Sequence, residues 1–462
     1  MLRRKAYRHL VAWKEKRQGR TALLVEGARR VGKSTLVETF AQNEYQSYVL
    51  IDFSKTPDEV RAVFETMRHD MDSFFMYLSA FYGVRLYERD TLFIFDEVQL
   101  YPKAREFIKH LVADGRYDYV ETGSLVSIKH NVADILIPSE EEAFVLNPFD
   151  FEEFLWALEE EPLVAAMQDS AQNLKPLPQP IHQKCMRLFR EYMLVGGMPS
   201  PLSVYVATRD FEQADDEKRQ ILSLYRKDIA RYARGYEHRV ISVFDEIPSQ
   251  LSKHEKKFTL ASLGKDTRMR NYDDAFFWLA DAQITNMCYN STDPHVGLGL
   301  YRDSPTFKCY LADTGLLVTH AFSENPETSH QVYRDILFDR LQINEGMLTE
   351  NIVAQTLRAA GRKLYFYSRY SKENSEDRVE IDFLISGGYP HAKVSPLEVK
   401  STKRYTTTSL EKFSKKFGSR VGHQYVLHPG NLNVDNNRVL MPLYLALWLP
   451  SSASSVFGGD GS

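Results

Sequence analysis

The sequence predicts an α/β protein, with two α/β parts separated by a largely helical block. Three observations predict it. Residues 21–26, TALLVE, are a short apolar run followed by the loop GARRVGKS and the helical run TLVETFAQ. Residues 91–97, TLFIFDE, are a second apolar run that ends in two acids. Beyond residue 340 the helical pattern NEGMLTENIVAQTLRAAG gives way to three strand-like runs, KLYFYSRY, VEIDFLIS and PLEVK. Short apolar runs bounded by turn chemistry read as buried strands, and strands alternating with helices favour a parallel sheet covered on both faces.

The loop after the first strand matches G-x-x-x-x-G-K-[ST] in the strand–loop–helix context that motif requires. Gly27 and Gly32 let the backbone curl so that its N–H groups face phosphate, and the helix that follows adds its positive dipole end. Lys33 reaches the β and γ phosphates, and the Ser34 hydroxyl holds Mg²⁺. The alternative is a chance glycine-rich turn with a surface lysine. Agreement of every motif position with the flanking elements argues against it. The motif grips a triphosphate without choosing between ATP and GTP.

A neighbouring strand should supply acids. Asp96 fits the carboxylate that supports Mg²⁺ through water, and Glu97 fits the base that orients an attacking water. Two adjacent acids at a strand end also suit an exposed turn, and it is the phosphate loop that favours the catalytic reading. A third strand is expected in YVETGSL, with Thr122 or Ser124 near the γ-phosphate as a sensor, or else as a helix cap. Gln99 is a weaker sensor candidate. In such sheets the ligand lies at the carboxyl ends of the strands.

At 462 residues the chain has length for roughly two to four domains. A 43% hydrophobic and 26% charged composition fits globular cores, and a net charge of −4 gives no overall signature of a nucleic-acid binder. A local basic patch remains compatible with that charge. Cys185, Cys288 and Cys309 are too dispersed for a disulfide framework or a metal spacing, which suits a reducing, cytoplasmic setting. The N-terminus lacks the apolar core of a signal peptide, and no apolar run reaches membrane-spanning length. Residues 451–462 read as a loose tail.

In the middle, FDFEEFLWAL, then HQKCMRLFREYMLVGGMPS ending at Gly196-Gly197, then residues 212–232 read as helices, with a loop expected over 169–181. They predict a helical lid. If the protein works as a homo-oligomer, Arg226, Arg231 or Arg234 could present a positive charge to a neighbour's nucleotide, although most such arginines lie on solvated helix faces. Residues 240–290 show short amphipathic units followed by a strand, the pattern of a winged helix. There the run KHEKK before Phe258, with Arg268 and Arg270, could meet a DNA backbone; Asp273 and Asp274 dilute that charge, and such modules also bind protein.

Among the terminal strands, alternation puts Glu398 and Lys400 on the same face of one strand and Glu380 on the same side as Asp382 of its neighbour. Acids gathered on neighbouring strands repel unless a cation intervenes. Mg²⁺ suits carboxylate and water oxygens, and Mn²⁺ is the alternative ion there. Asp382 and Glu398 would bind the metal, Glu350 on the preceding helix would complete the shell or hold a second ion, and Lys400 would orient or activate water or stabilise charge on a phosphodiester. That is the logic of a metal-dependent nuclease. The plainer reading is an ion pair between Lys400 and one acid.

In order, GARRVGKST, FIFDEVQ, TGS, NPFDFEEF and LVGGMPSP, then IPSQLS, KKF and DFLI-to-LEVK, resemble the large prokaryotic family of AAA+-type ATPases that carry a C-terminal domain of unknown function. The resemblance runs from about Ala22 to Leu427. It implies a P-loop NTPase core (1–148), a helical lid (149–238), a winged-helix-like region (239–300) and a restriction-endonuclease-like α/β domain (301–450). It assigns nucleotide binding to Gly27, Ala28, Arg29, Arg30, Val31, Gly32, Lys33, Ser34 and Thr35, the metal and water acids to Asp96 and Glu97, and the sensor to the TGS segment. Asp382, Glu398 and Lys400 match its nuclease motif, with Glu350 as the helix acid. Two departures stand out: ETGS where many relatives have an apolar residue before TGS, and an acidic SEEEA before NPFDF.

Overall fold

The computed structural model describes residues 2–124, 138–253, 256–263, 271–295, 297–322, 333–337, 345–370, 378–387 and 393–450. The chain divides into two compact units, residues 1–148 with 281–283, and residues 149–280 with 284–462.

The first unit is built on five parallel strands, β1 (Ala22–Glu26), β2 (Ser47–Asp52), β3 (Thr91–Asp96), β4 (Asp118–Gly123) and β5 (Glu141–Val145), in the order β2-β3-β4-β1-β5. Its helices are α1 (Ala6–Arg17), α2 (Lys33–Glu44), α3 (Asp58–Thr66), α4 (Met71–Tyr82) and α5 (Pro102–Asp114). β1, β3 and β4 are buried along their whole length; β1 and β3 read as apolar runs ending in an acid, whereas β4 also buries Asp118, Glu121 and Thr122.

Strand alternation sorts their side chains onto two cores. Leu23, Val25, Leu92, Ile94 and Val120 pack with Leu36, Val37 and Phe40 of α2 and with Leu10 and Trp13 of α1. Leu24, Phe93, Phe95 and Tyr119 pack with Phe64 of α3, Phe74 and Phe75 of α4, and Phe107 and Leu111 of α5. Each fully buried Phe or Leu contributes about 1.5–3 kcal/mol of transfer free energy. The same alternation places Asp96 and Thr122 in step with the α2 face, and Glu26 and Glu121 in step with the α3–α5 face.

The second unit opens with helices α6 (Phe151–Ala157), α7 (Glu161–Asn173), α8 (Gln179–Val195), α9 (Pro199–Thr208), α10 (Phe211–Tyr232) and α11 (Glu237–Ser252). NPFDFEEF has a structural reason: Asp150 caps α6 by accepting from Glu153 N–H at 2.9 Å, while Glu153 accepts from Asp150 N–H at 3.1 Å. The loop expected over 169–181 shrinks to 174–178. α7 continues through Asn173, and Pro180 sits in the first turn of α8, where its missing N–H is harmless.

After α12 (Asp273–Asp281) come β6 (Thr285–Ser291) and β7 (Arg302–Leu311), an antiparallel hairpin that spans the boundary expected at residue 300. β6 also pairs in parallel with β8 (Leu364–Arg369), which pairs with β9 (Val379–Ile381), so the hairpin belongs to a four-stranded sheet, β7-β6-β8-β9. Between them run α13 (Thr314–Ala321) and α14 (Glu345–Ala359). A second sheet, β10-β11-β12-β14-β13, is made by β10 (Phe383–Ser386), β11 (Val394–Val399), β12 (Gln424–His428), β13 (Asn433–Asp435) and β14 (Arg438–Pro442), with α15 (Thr408–Phe417) before β12. Asp382 is the single residue between β9 and β10, where the chain passes from one sheet to the other.

LVGG is also structural. α8 ends at Gly196, whose φ of 80° suits glycine. Gly197 N–H donates to the Asp313 carboxylate at 2.6 Å, and Phe149 N–H donates to Gly197 O at 2.7 Å. Gln355 of α14 donates to Tyr192 Oη at 3.0 Å, and Tyr192 donates to Phe149 O at 2.7 Å. This network pins α14, and with it Glu350, in one position. Among the described residues no helix is long and apolar enough to cross a membrane.

Candidate nucleotide site and a second charged cluster

The phosphate loop leaves β1 at Glu26 and enters α2 at Lys33. A Cβ on Gly27 would lie 2.6 Å from Leu146 O, and Gly32 holds φ at 96° just before the helix. Arg30 takes a left-handed φ of 69° at the loop's apex, with Arg29 and Arg30 exposed and Ala28 and Val31 buried. Lys33 is buried, and its ammonium donates to Gly27 O at 3.0 Å and Ala28 O at 3.1 Å. The lysine thus lies over the loop, held by carbonyls that a phosphate oxygen can replace. Thr35 is exposed on the outer side of the first turn.

Ser34 donates to Asp96 Oδ1 at 2.8 Å, and Thr122 donates a short hydrogen bond to the same oxygen. Three elements, α2, β3 and β4, therefore converge on one carboxylate. Both side chains of this pair are hard oxygen donors of the kind Mg²⁺ prefers, so the set fits that ion. Glu97, with a left-handed φ of 54°, follows directly, and the Gln99 amide donates to its carboxylate. Ser124 lies half-buried just beyond β4.

The opposite face of the sheet carries a group that sequence reasoning did not assign a role. Glu121 is fully buried, and neither carboxylate oxygen has a hydrogen-bond partner. Arg105 of α5 makes a two-pronged pair with Glu141, at 2.9 and 2.7 Å. Burial, then the nearby charge of Glu141, pushes the Glu121 carboxyl well above its usual range, against the pull of Arg105. Glu121 is the acid of ETGS and Glu141 lies within SEEEA. The two departures in the sequence thus come together on one arginine, and that coincidence was the available signal.

Of the candidate arginines, Arg226 pairs with Asp245 at 2.6 Å, while Arg231 and Arg234 are exposed near the end of α10. Arg268 and Arg270 lie outside the described residues, as do His254 and Glu255 of the KHEKK run.

The terminal acids gather around a lysine that the sequence reading passed over. Lys308 of β7 reaches Glu350 at 2.9 Å, Glu380 at 3.2 Å and Asp382 at 3.6 Å. Tyr310 and Lys256 each make a short contact to Glu350. Burial pushes the Glu350 carboxyl up, but the ammoniums of Lys256 and Lys308 outweigh it and hold it down at about 2. Burial, then the charge of Glu350, raises Asp382, which also accepts from Val399 N–H at 2.9 Å. Glu398 and Lys400 form a separate ion pair at 2.6 Å. Among the described residues no three His, Cys, Asp or Glu side chains form a group able to hold a metal ion. The signal for Lys308 was its place in the apolar strand FKCYL, where an unpaired ammonium would be costly.

Three segments match known families: residues 19–155 the AAA domain, residues 186–327 a domain of unknown function (DUF8612), and residues 345–446 another domain of unknown function (DUF4143). No curated protein matches the chain. Among solved structures it is similar to the Walker-type ATPase PABY2304 of Pyrococcus abyssi, at 15% identity and a TM-score of 0.42, over 69% of this chain and 96% of that one. It is also similar to the Aeropyrum pernix ORC1 protein in complex with DNA, at 13% identity and a TM-score of 0.28, over 72% and 94% of the two chains. The match to the AAA domain over residues 19–155 spans the phosphate loop and the acid-tipped strand beside it.

Proposed function

We propose that this chain binds and hydrolyses ATP with Mg²⁺ and couples that cycle to DNA binding or processing by its C-terminal part. The convergence of Ser34 and Thr122 on Asp96 Oδ1, beside the loop that carries Lys33, supports the ATPase half. Bound with a nucleotide, Mg²⁺ would be held by Ser34 and, through water, by Asp96; it would supply positive charge to the phosphate oxygens. Lys33 would trade its loop carbonyls for phosphate. Release of Glu97 from Gln99 would free the carboxylate to take a proton from an attacking water. The Thr122 and Ser124 segment would report loss of the γ-phosphate. Measuring ATP turnover of purified protein with and without DNA tests this reading; no turnover above a Lys33→Ala control in either condition overturns it.

For the C-terminal part, a second reading is favoured by one observation. The ammonium of Lys308 stands among Glu350, Glu380 and Asp382. In that reading ATP sets a conformation, and the terminal domain docks DNA or protein without cutting it. Incubation with DNA, Mg²⁺ or Mn²⁺, and ATP separates the two: cleavage that a Lys400→Ala variant loses supports processing, and its absence supports docking.

A further inference from the structure

We infer that Lys308 is a resident cation, an ammonium built into the position that a divalent metal would otherwise occupy, and that its removal opens a latent divalent-cation site. The inference rests on the docking reading above, in which the terminal carboxylates serve the fold without cutting.

Lys308 shares a face of β7 with Tyr310, because they are two residues apart. Its side chain is 1% exposed. The ammonium lies 5.1 Å from the centre of the Phe366 ring of β8, so the stem crosses the sheet above β6 to reach the far acids. An ammonium has three N–H donors. Lys308 meets three carboxylates, from α14, from β9 and from the β9–β10 junction. One N–H donates to Glu350 Oε1 at 2.9 Å, and Glu380 and Asp382 stand at ion-pair distance, an arrangement that makes a buried charge tolerable.

Other groups also hold Glu350 and Asp382. Lys256 pairs with Glu350 Oε2, Tyr310 donates to Glu350 Oε1, and Val399 N–H donates to Asp382 Oδ2. A metal ion would need the oxygens that now face Lys308, at about 2.0–2.6 Å from each. Metal and ammonium would then be like charges within contact distance, so the two exclude each other. Without the ammonium, Glu350, Glu380 and Asp382 all face the space it fills. Carboxylate oxygens are hard donors of the kind Mg²⁺ and Mn²⁺ take.

Full-length protein carrying Asp96→Asn, which removes the N-terminal metal position, is titrated with MnCl₂ without nucleotide. Free Mn²⁺ is followed by electron paramagnetic resonance. The Asp96→Asn protein is expected to bind no Mn²⁺ that depends on Asp382. Adding Lys308→Met is expected to create one site per chain, abolished again by Asp382→Asn. A charge-balanced variant, Lys308→Met with Glu380→Gln, guards against misfolding and should gain the same site. Asp382-dependent Mn²⁺ binding with Lys308 in place overturns the inference, as does a folded Lys308 variant that gains no site. Failure of both variants to fold, even with Mn²⁺ present, overturns it too, since the metal then cannot take the lysine's place. DNA cleavage by the unmodified protein would instead sink the docking reading, through a separate measurement.

Discussion

Ser34 and Asp96 are joined by a 2.8 Å hydrogen bond that links the first turn of α2 to the end of β3. The bond is between the two groups proposed to hold Mg²⁺, so each can be altered without touching Lys33, the lysine proposed to grip phosphate. Asp96→Asn is expected to leave nucleotide binding in place and to lower Mg²⁺-dependent ATP turnover about 10²–10³-fold, the few kcal/mol that metal-linked charge stabilisation supplies. Comparing steady-state turnover with the affinity for a labelled nucleotide checks this. An equal loss of both would assign Asp96 to binding alone.

Glu97 tests whether the domain is a hydrolase or a switch. Its carboxylate is held by Gln99 and sits one residue past Asp96 on a left-handed turn. If it activates water, Glu97→Gln lowers turnover about 10²–10⁴-fold with ATP affinity unchanged. Slow turnover that the substitution does not alter would support the switch. Single-turnover phosphate release measures the difference.

These two residues were legible because their signals are local. A phosphate loop is one contiguous turn, and an acid at the end of an apolar run marks a strand's carboxyl end. The groups that were not legible are defined by long-range contacts. Lys308 meets its acids across separations of 42 to 74 residues, and no spacing rule connects them. The pattern did place Glu398 and Lys400 together, and they pair. It did not foresee that the cation among Glu350, Glu380 and Asp382 would be a side chain. The winged-helix pattern over 240–290 shows the same limit. Local periodicity registers short helices and a strand, but the pairing of that strand, β6, with the distant β8 has no local signal.

Gly197 offers a test of the network that fixes α14. A Cβ there would lie 2.2 Å from Phe149 O and 2.9 Å from Phe149 N, both backbone atoms that cannot rotate aside. Gly197→Ala is expected to destabilise the second unit by about 3 kcal/mol, the upper range for overpacking. Gly361 is the control, because its φ is 77° and a Cβ there meets nothing within 4 Å. Gly361→Ala should cost about 1 kcal/mol, from backbone strain alone. Denaturant melts of the two variants give the comparison, and equal losses would remove the steric argument.

Glu121 makes stability depend on pH in a direction opposite to that of most carboxylates. Its folded pKa is raised from the ordinary 4.5, first by burial and then by the charge of Glu141. Between the unfolded and folded values the native state holds a proton that the unfolded chain has released. Stability from this group is therefore complete below about pH 4.5 and falls as pH rises toward the folded pKa, with a limiting slope of about 1.4 kcal/mol per pH unit. Glu121→Gln keeps the shape and removes the titration, so it should stabilise the protein at neutral pH and lose that advantage below pH 4.5. Glu141→Gln should do the reverse at neutral pH. It leaves the buried Arg105 without its two-pronged partner, a loss of about 3–5 kcal/mol. Denaturant melts at a series of pH values check both. A Glu121→Gln difference that does not change between pH 4 and 7 would show that this carboxyl titrates as it does in the unfolded chain.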